Sequence, residues 1–123
     1  MLVLYHNDVS VCAQKVRMCL AEKNLDWEDR HLSLRDGDHL TPEYLKLNPN
    51  GVVPTLVHDE RVIIESTVIN EYLDTAFADP PLRPADAYDR AHMRIWTKQV
   101  DDSLHGAVGT LSFCIAFRWS YLE

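Results

Sequence analysis

Three short stretches carry residue types that could do chemistry together. They are Asn48-Pro49-Asn50-Gly51-Val52-Val53-Pro54-Thr55-Leu56, Glu65-Ser66-Thr67, and Ser10-Val11-Cys12. Pro54 has no amide hydrogen and interrupts a ladder where a strand begins, so Val53 would offer its own N–H and C=O to an extended ligand. Glu65 and Ser66 place a carboxylate and an N-capping hydroxyl beside exposed amides at a helix start, which suits an ammonium next to a carboxylate. That is the head group of an amino acid, and a backbone edge beside it suits a small zwitterionic peptide. Taken singly, the same residues also fit a turn proline before a hairpin and an ordinary helix cap. Ser10 fits a plain N-cap as well. Cys12, within the first turn of the helix that follows, could form a mixed disulfide.

The elements that would position these residues follow from periodicity. Leu2-Val3-Leu4-Tyr5 is a short apolar run of the kind a buried strand shows, with Tyr5 completing it, and His6-Asn7-Asp8 leads to a helix over Val11 to Lys23. In that helix Val16, Leu20 and Cys19 repeat at helical spacing, while Gln14, Lys15 and Arg17 are expected to face outward. Trp27 to Leu34 alternates as a second strand. Thr41 caps and Pro42 opens a short helix that runs to Leu47. Pro54 to His58 and Arg61 to Ile64 are joined at Asp59-Glu60, too close for anything but an antiparallel hairpin. From Ser66, the residues Val68, Ile69, Tyr72 and Leu73 describe an amphipathic helix that fades at Phe77. The order is βαβ followed by ββα. A right-handed parallel crossover plus an antiparallel edge gives an α/β fold, a thioredoxin-like four-stranded mixed sheet with flanking helices.

Asp79-Pro80-Pro81-Leu82-Arg83-Pro84 holds three of the six prolines and cannot continue a helix. Residues 1–78 therefore read as the sheet domain, 79–85 as a linker, and 86–123 as the start of an all-helical domain. That last part is expected to be one long helix from Asp86 to about Leu122, with Leu111 to Leu122 apolar nearly all round. Burial against further helices is implied. Gly106, Gly109, Thr110, Ser112 and Arg118 interrupt a segment shorter than the roughly 20 apolar residues that a membrane span requires.

Composition excludes several classes of partner. Nineteen acidic residues against 12 basic give a net charge of −7, which disfavours nucleic acid and anionic membrane surfaces. Cys12, Cys19 and Cys114 form no metal-ligand or CxxC spacing, so no metal is expected. An odd cysteine count without a signal peptide points to a reducing compartment and a cytoplasmic protein. Cys19 and Cys114 read as core or interface thiols.

Over about residues 2 to 77 the chain resembles cytosolic glutathione S-transferases, of the theta or zeta kind or a bacterial relative. The residues that carry the likeness are Leu4-Tyr5 followed by Ser10 and Lys15-Val16-Arg17, then Asn48-Pro49 with Val53-Pro54-Thr55-Leu56, then Glu65-Ser66 with Ile69 and Tyr72-Leu73. The resemblance implies that Ser10 donates a hydrogen bond to the glutathione sulfur. It implies that Pro54 is cis, that Val53 pairs with the cysteinyl backbone of glutathione, and that Glu65 and Ser66 bind its γ-glutamyl end. His39 would reach the glycyl carboxylate, or as a loop histidine simply be solvated. Val52 departs from relatives that carry a polar residue there. Some bacterial and omega-like relatives have cysteine at the position matching Ser10, so the class stays open. Cys12 is a rival for a redox role because it lies in the first turn, where the helix dipole favours a thiolate. Asp101 and Asp102 are candidates for a contact with the partner subunit's glutathione, or for solvated helix charges.

A thiol of pKa about 8.5 must be lowered to attack at neutral pH, and a drop of one to two units corresponds to about 1.4 to 2.8 kcal/mol. One charge-assisted hydrogen bond and a helix terminus can supply that. The implied function is conjugation of glutathione, as co-substrate, to hydrophobic electrophiles in detoxification. The protein would be a homodimer through the long helix, with activity reduced by the short helical part. The alternatives are a non-catalytic glutathione-binding or interaction module and thiol-disulfide exchange through Cys12.

Overall fold

The computed structural model, which describes residues 1–117, makes Leu2–His6 the first strand (β1), with Leu2, Leu4 and His6 buried in alternation. Helix α1 (Val11–Glu22) then buries Ala13, Val16, Cys19 and Leu20. It returns the chain to β2 (Glu28–His31), parallel to β1. Helix α2 (Pro42–Leu47) is capped by Thr41 as the sequence predicts. Strands β3 (Thr55–His58) and β4 (Arg61–Ile64) form the antiparallel hairpin. Its two-residue turn places Asp59 and Glu60 at φ of 47° and 70°, the twist a tight hairpin demands. Helix α3 (Ser66–Ala76) ends at Phe77. The sheet order is β2-β1-β3-β4, the four-stranded mixed sheet expected of a thioredoxin-like fold.

The core is one cluster of Leu2, Leu4, Val16, Cys19, Leu20, Leu56, Ile69 and Leu73, so α1 and α3 share the sheet face that Leu4 presents. Each fully buried leucine or isoleucine there contributes about 1.5–3 kcal/mol of transfer free energy. Tyr5 points to the opposite face, where its ring lies 5.7 Å from that of Tyr44 on α2. Val68, expected in the apolar stripe of α3, is exposed. The stripe rests on Ile69 and Leu73 instead, because four-residue spacing keeps them above one another on the sheet.

The expectation that Lys15 and Arg17 face outward is corrected. Lys15 and Arg17 do not simply face solvent: Lys15 Nζ donates to Thr67 Oγ1 at 2.7 Å, and Arg17 reaches back to the residues after β1. Lys23, just past α1, is buried. Its ammonium lies 2.7 Å from Asp74 Oδ1 and donates to the carbonyls of Phe77 and Pro80, both at 2.7 Å. Three donors meet three acceptors, which is what allows a charge to be buried there.

The chain divides into two units, Met1–Pro81 and Leu82–Glu123. In the second, Asp86 Oδ1 caps α4 (Ala87–Gln99) by accepting from Tyr88 N and Asp89 N at 2.8 and 3.2 Å. A π-helical turn over Val100–Leu104 follows, then α5 (His105–Ser112) and another π-helical turn over Phe113–Phe117. The single regular helix of the sequence reading is thus corrected. The His105 N–H bonds to Val100 O, five residues back, and such a turn shifts the phase of the apolar face without breaking the helix. The predicted continuation to Leu122 lies outside the described residues. Ile95, Trp96, Leu104, Leu111 and Cys114 are exposed, which corrects a core position for Cys114. Among the described residues no helix is long and apolar enough to cross a membrane.

Candidate functional site

The register of the sheet gathers the three stretches. Tyr5 pairs with Thr55, and Thr55 with Ile64, so these three residues form one row across β1, β3 and β4. Immediately beyond that row the chain leaves β1 toward Ser10, enters β3 from Val53-Pro54, and leaves β4 into Glu65-Ser66. Residues more than 50 positions apart in sequence thus meet at one end of the sheet.

Ser10 is the N-cap of α1. Its hydroxyl oxygen accepts the Ala13 N–H at 3.2 Å, which leaves the O–H proton to be donated elsewhere. No acidic residue occupies the first turn, so the positive end of the helix is not neutralised from within. Cys12 is half-buried in that turn. Cys19, further along, is a core thiol that burial pushes above its ordinary range, the nearby Lys23 ammonium opposing the rise.

Val53 stands outside the ladder, whose register begins at Thr55, and follows a left-handed Gly51 at φ 59°. Among the described residues its N–H and C=O join no backbone hydrogen bond, and the Val53–Pro54 peptide is cis. Buried side chains that the sequence reading missed hold this loop. The Tyr44 hydroxyl donates to Val52 O at 2.6 Å and pairs with Thr55 Oγ1 at 2.8 Å. Asn48 Nδ2 donates to the same two oxygens at 2.9 and 3.1 Å. Burial pushes the Tyr44 phenol up, with Thr55 and Asn48 pulling the other way. In the sequence Asn48 stood out only as part of a motif, and nothing local linked Tyr44 to Val52.

His39 lies in a 3₁₀ turn, Asp38–Leu40. This turn packs on the same loop: a Cβ at Gly51 would meet the Leu40 side chain at 3.0 Å and His39 O at 3.4 Å. His39 Nδ1 is shielded from solvent with no hydrogen-bond partner among the described residues.

At the head of α3 the structure corrects the role of Ser66, which is the first helical residue and not the cap. Glu65 holds the N-cap position at φ 68°, ψ 112°, and its side chain makes no capping bond. The first amides of α3 therefore receive no capping bond from the N-cap side chain, and a helix start of that kind suits an anion. A non-glycine residue in this region costs about 1–3 kcal/mol, and such conformations cluster where ligands are clamped. Lys15, through Thr67, ties this helix start to α1. Asp101 and Asp102 sit in the first π-helical turn, both exposed, with Lys98 Nζ 2.6 Å from Asp102 Oδ2. Among the described residues no group of three or more His, Cys, Asp or Glu side chains could hold a metal ion.

Comparison with known proteins shows the family and the fold. Residues 9–76, more than half of the chain, match the family described as glutathione S-transferase, N-terminal domain. Glutathione S-transferase 1 of Dianthus caryophyllus is 49% identical over 88 residues, covering 72% of this chain and 40% of its own. Protein LigF of Sphingobium sp. strain SYK-6 is 37% identical over 119 residues, covering 95% of this chain and 46% of its own. Its crystal structure, described as a beta-etherase, superposes with a TM-score of 0.88 at 38% identity over 94% of this chain and 48% of that one. A glutathione transferase homologue from Sulfitobacter, solved with bound glutathione, gives 0.82 at 25% identity over 87% of this chain and 51% of that one. The chain thus spans about half the length of the relatives it matches, or less. By the family match across its sheet unit, this chain belongs to the glutathione S-transferases.

Proposed function

We propose that this chain binds glutathione at the end of the sheet defined by Tyr5, Thr55 and Ile64, and supports its conjugation to a hydrophobic electrophile. The observation that carries the reading is the convergence there of three features that suit a small peptide. They are the open edge at Val53, the uncapped head of α3, and the N-terminus of α1 with its Ser10 hydroxyl.

The roles follow from chemistry. Val53, set by Pro54, pairs with the cysteinyl backbone; Ser66 N–H and its neighbours take the γ-glutamyl carboxylate; Glu65 takes the ammonium. His39 Nδ1 faces the glycyl carboxylate. Ser10 donates to the sulfur, and with the helix terminus it favours thiolate over thiol. The thiolate then forms a carbon–sulfur bond as the leaving group departs with its electron pair, the thiol proton having gone to solvent. The exposed apolar residues of α4 and α5 suit a homodimer interface or the remainder of a helical domain, with Asp101 or Asp102 reaching the partner subunit's glutathione. A cytoplasmic detoxifying enzyme fits the composition. Cys12, half-buried beside Ser10, supports a second reading, thiol-disulfide exchange with glutathione.

Titration calorimetry with millimolar glutathione tests binding. The turnover of an aryl halide by wild type, Ser10→Ala and Cys12→Ser then separates the two chemistries. Loss of turnover in Ser10→Ala, with the bound thiol's pKa raised by about one to two units, supports conjugation. Unchanged turnover and an unchanged thiol titration refute the assignment of Ser10, and disulfide reduction lost only in Cys12→Ser establishes the second reading.

A further inference from the structure

Beside the loop that carries Ser10 lies a part-buried polar chain, Asp29–His6–Arg17, that the proposed glutathione site does not use. His6, the last residue of β1, is 2% exposed. Its Nε2 lies 2.9 Å from Asp29 Oδ1 and its Nδ1 2.9 Å from Arg17 Nη1. A carboxylate only accepts and a guanidinium only donates, so the proton of His6 belongs on Nε2 and the lone pair on Nδ1. The ring is therefore neutral and of one tautomer. Trp27 and His31 pack edge-on against it, with centroids at 5.4 and 5.5 Å.

Arg17, held by that lone pair, turns the rest of its fork onto the loop. Nη1 donates to Asn7 O at 3.1 Å and lies 3.8 Å from Asp8 Oδ1, and Nη2 donates to Asp8 O at 3.4 Å. Asn7 O also accepts the N–H of Ser10 at 3.2 Å. The Asn7 side chain completes the turn by donating to Leu32 O at 2.8 Å and accepting from Val9 N at 3.0 Å. One carbonyl is thus shared by the guanidinium and by the backbone that aims the Ser10 hydroxyl.

We infer that Arg17, oriented by the neutral His6 and through it by Asp29, is a positioning residue for Ser10: it fixes the loop Asn7 to Ser10 and so the direction in which the hydroxyl donates. Its consequence for the thiol rests on the glutathione reading above.

Histidine-selective ¹⁵N labelling of the full chain, with His6 assigned by the resonance missing in His6→Asn, reads the tautomer directly. Near neutral pH the wild type should show Nε2 protonated and Nδ1 bare. Arg17→Met and Asp29→Asn should mix the two tautomers and speed Ser10 amide exchange about tenfold. The Asp29 side chain is 63% exposed, so its amide variant leaves the core intact if Arg17→Met fails to fold. With glutathione bound, Arg17→Met should raise the thiol pKa by about one unit, a tenfold loss of thiolate, and lower kcat in step while KM for glutathione moves less than about threefold. Arg17→Lys should recover little, because a point charge cannot fork between the ring and two carbonyls.

A wild-type His6 protonated on Nδ1, or Ser10 exchange unmoved in both variants, overturns the inference. So does a loosened loop with an unshifted thiol. If wild type binds no glutathione, the functional reading is what fails, and the tautomer and exchange measurements decide the clamp by themselves.

Discussion

Replacing Lys23 by methionine keeps the length of the side chain and removes its ammonium. In the folded chain that ammonium satisfies Asp74 Oδ1, Phe77 O and Pro80 O, all at 2.7 Å, with the lysine side chain fully buried and that of Asp74 5% exposed. The variant leaves a buried carboxylate without its cation, which costs about 3–5 kcal/mol when one partner of a buried pair is deleted. Two carbonyls also lose a charged donor, while the methionine recovers some apolar contact, and a net loss of about 4 kcal/mol is expected. Against a typical stability of about 5–15 kcal/mol this is severe but measurable, equivalent to a urea midpoint lower by about 2 M at a slope of about 2 kcal/mol/M. Trp27 packs against the core and reports the transition once Trp96 and Trp119 are replaced by phenylalanine. Lys23→Met/Asp74→Leu should regain at least about 2 kcal/mol, since an apolar pair avoids the desolvation that one charge suffers alone. A loss below about 1 kcal/mol in the single variant, or a double variant no better than the single, would show that the pair does not anchor the end of α3 to α1.

Tyr44→Phe removes a buried hydroxyl from Val52 O and Thr55 Oγ1, both of which keep the Asn48 amide as donor, and should cost about 0.5–1.5 kcal/mol in chemical denaturation. Because burial raises the Tyr44 phenol, the folded chain keeps a proton that the unfolded chain sheds near pH 10, so stability is present below that pH and lost above it. The phenylalanine variant should lack this alkaline decline. Glu65→Gly relieves a backbone held at φ 68° and should raise the melting temperature by an equivalent of about 1 kcal/mol while weakening glutathione binding about tenfold; a melting temperature and an affinity that fall together would refute a strained clamp. Ellman's reagent should modify Cys114 and Cys12 well before Cys19, whose thiol is buried and raised. Equal rates in native protein would contradict that order.

Short-range signals carried most of the fold. Two strand-to-helix crossings, a two-residue hairpin joint and a proline cluster leave little choice of topology, because a parallel crossover has one hand and a two-residue link has one direction. The same signals marked Ser10, the Val53-Pro54 pair and Glu65-Ser66, each a local chemical type at a chain reversal. What stayed hidden was every feature that depends on a partner far along the chain. Arg17 looked like a solvent-facing helix cation until β1 supplied His6 and the Asn7 carbonyl. Lys23 looked like a helix end until Asp74 arrived from 51 residues away. Ser66 looked like a cap until the β4 exit forced Glu65 to φ 68° and moved the cap one residue back.

The π-helical turns were equally silent, since apolar spacing does not distinguish a bond to the fourth residue back from one to the fifth. Preferences for strand, helix or turn are local, because steric and solvation preferences are properties of a residue and its near neighbours, and they could be read along the chain. Which buried donor meets which acceptor was decided only by the tertiary structure, because a polar group removed from water must be satisfied by whatever the fold brings to it.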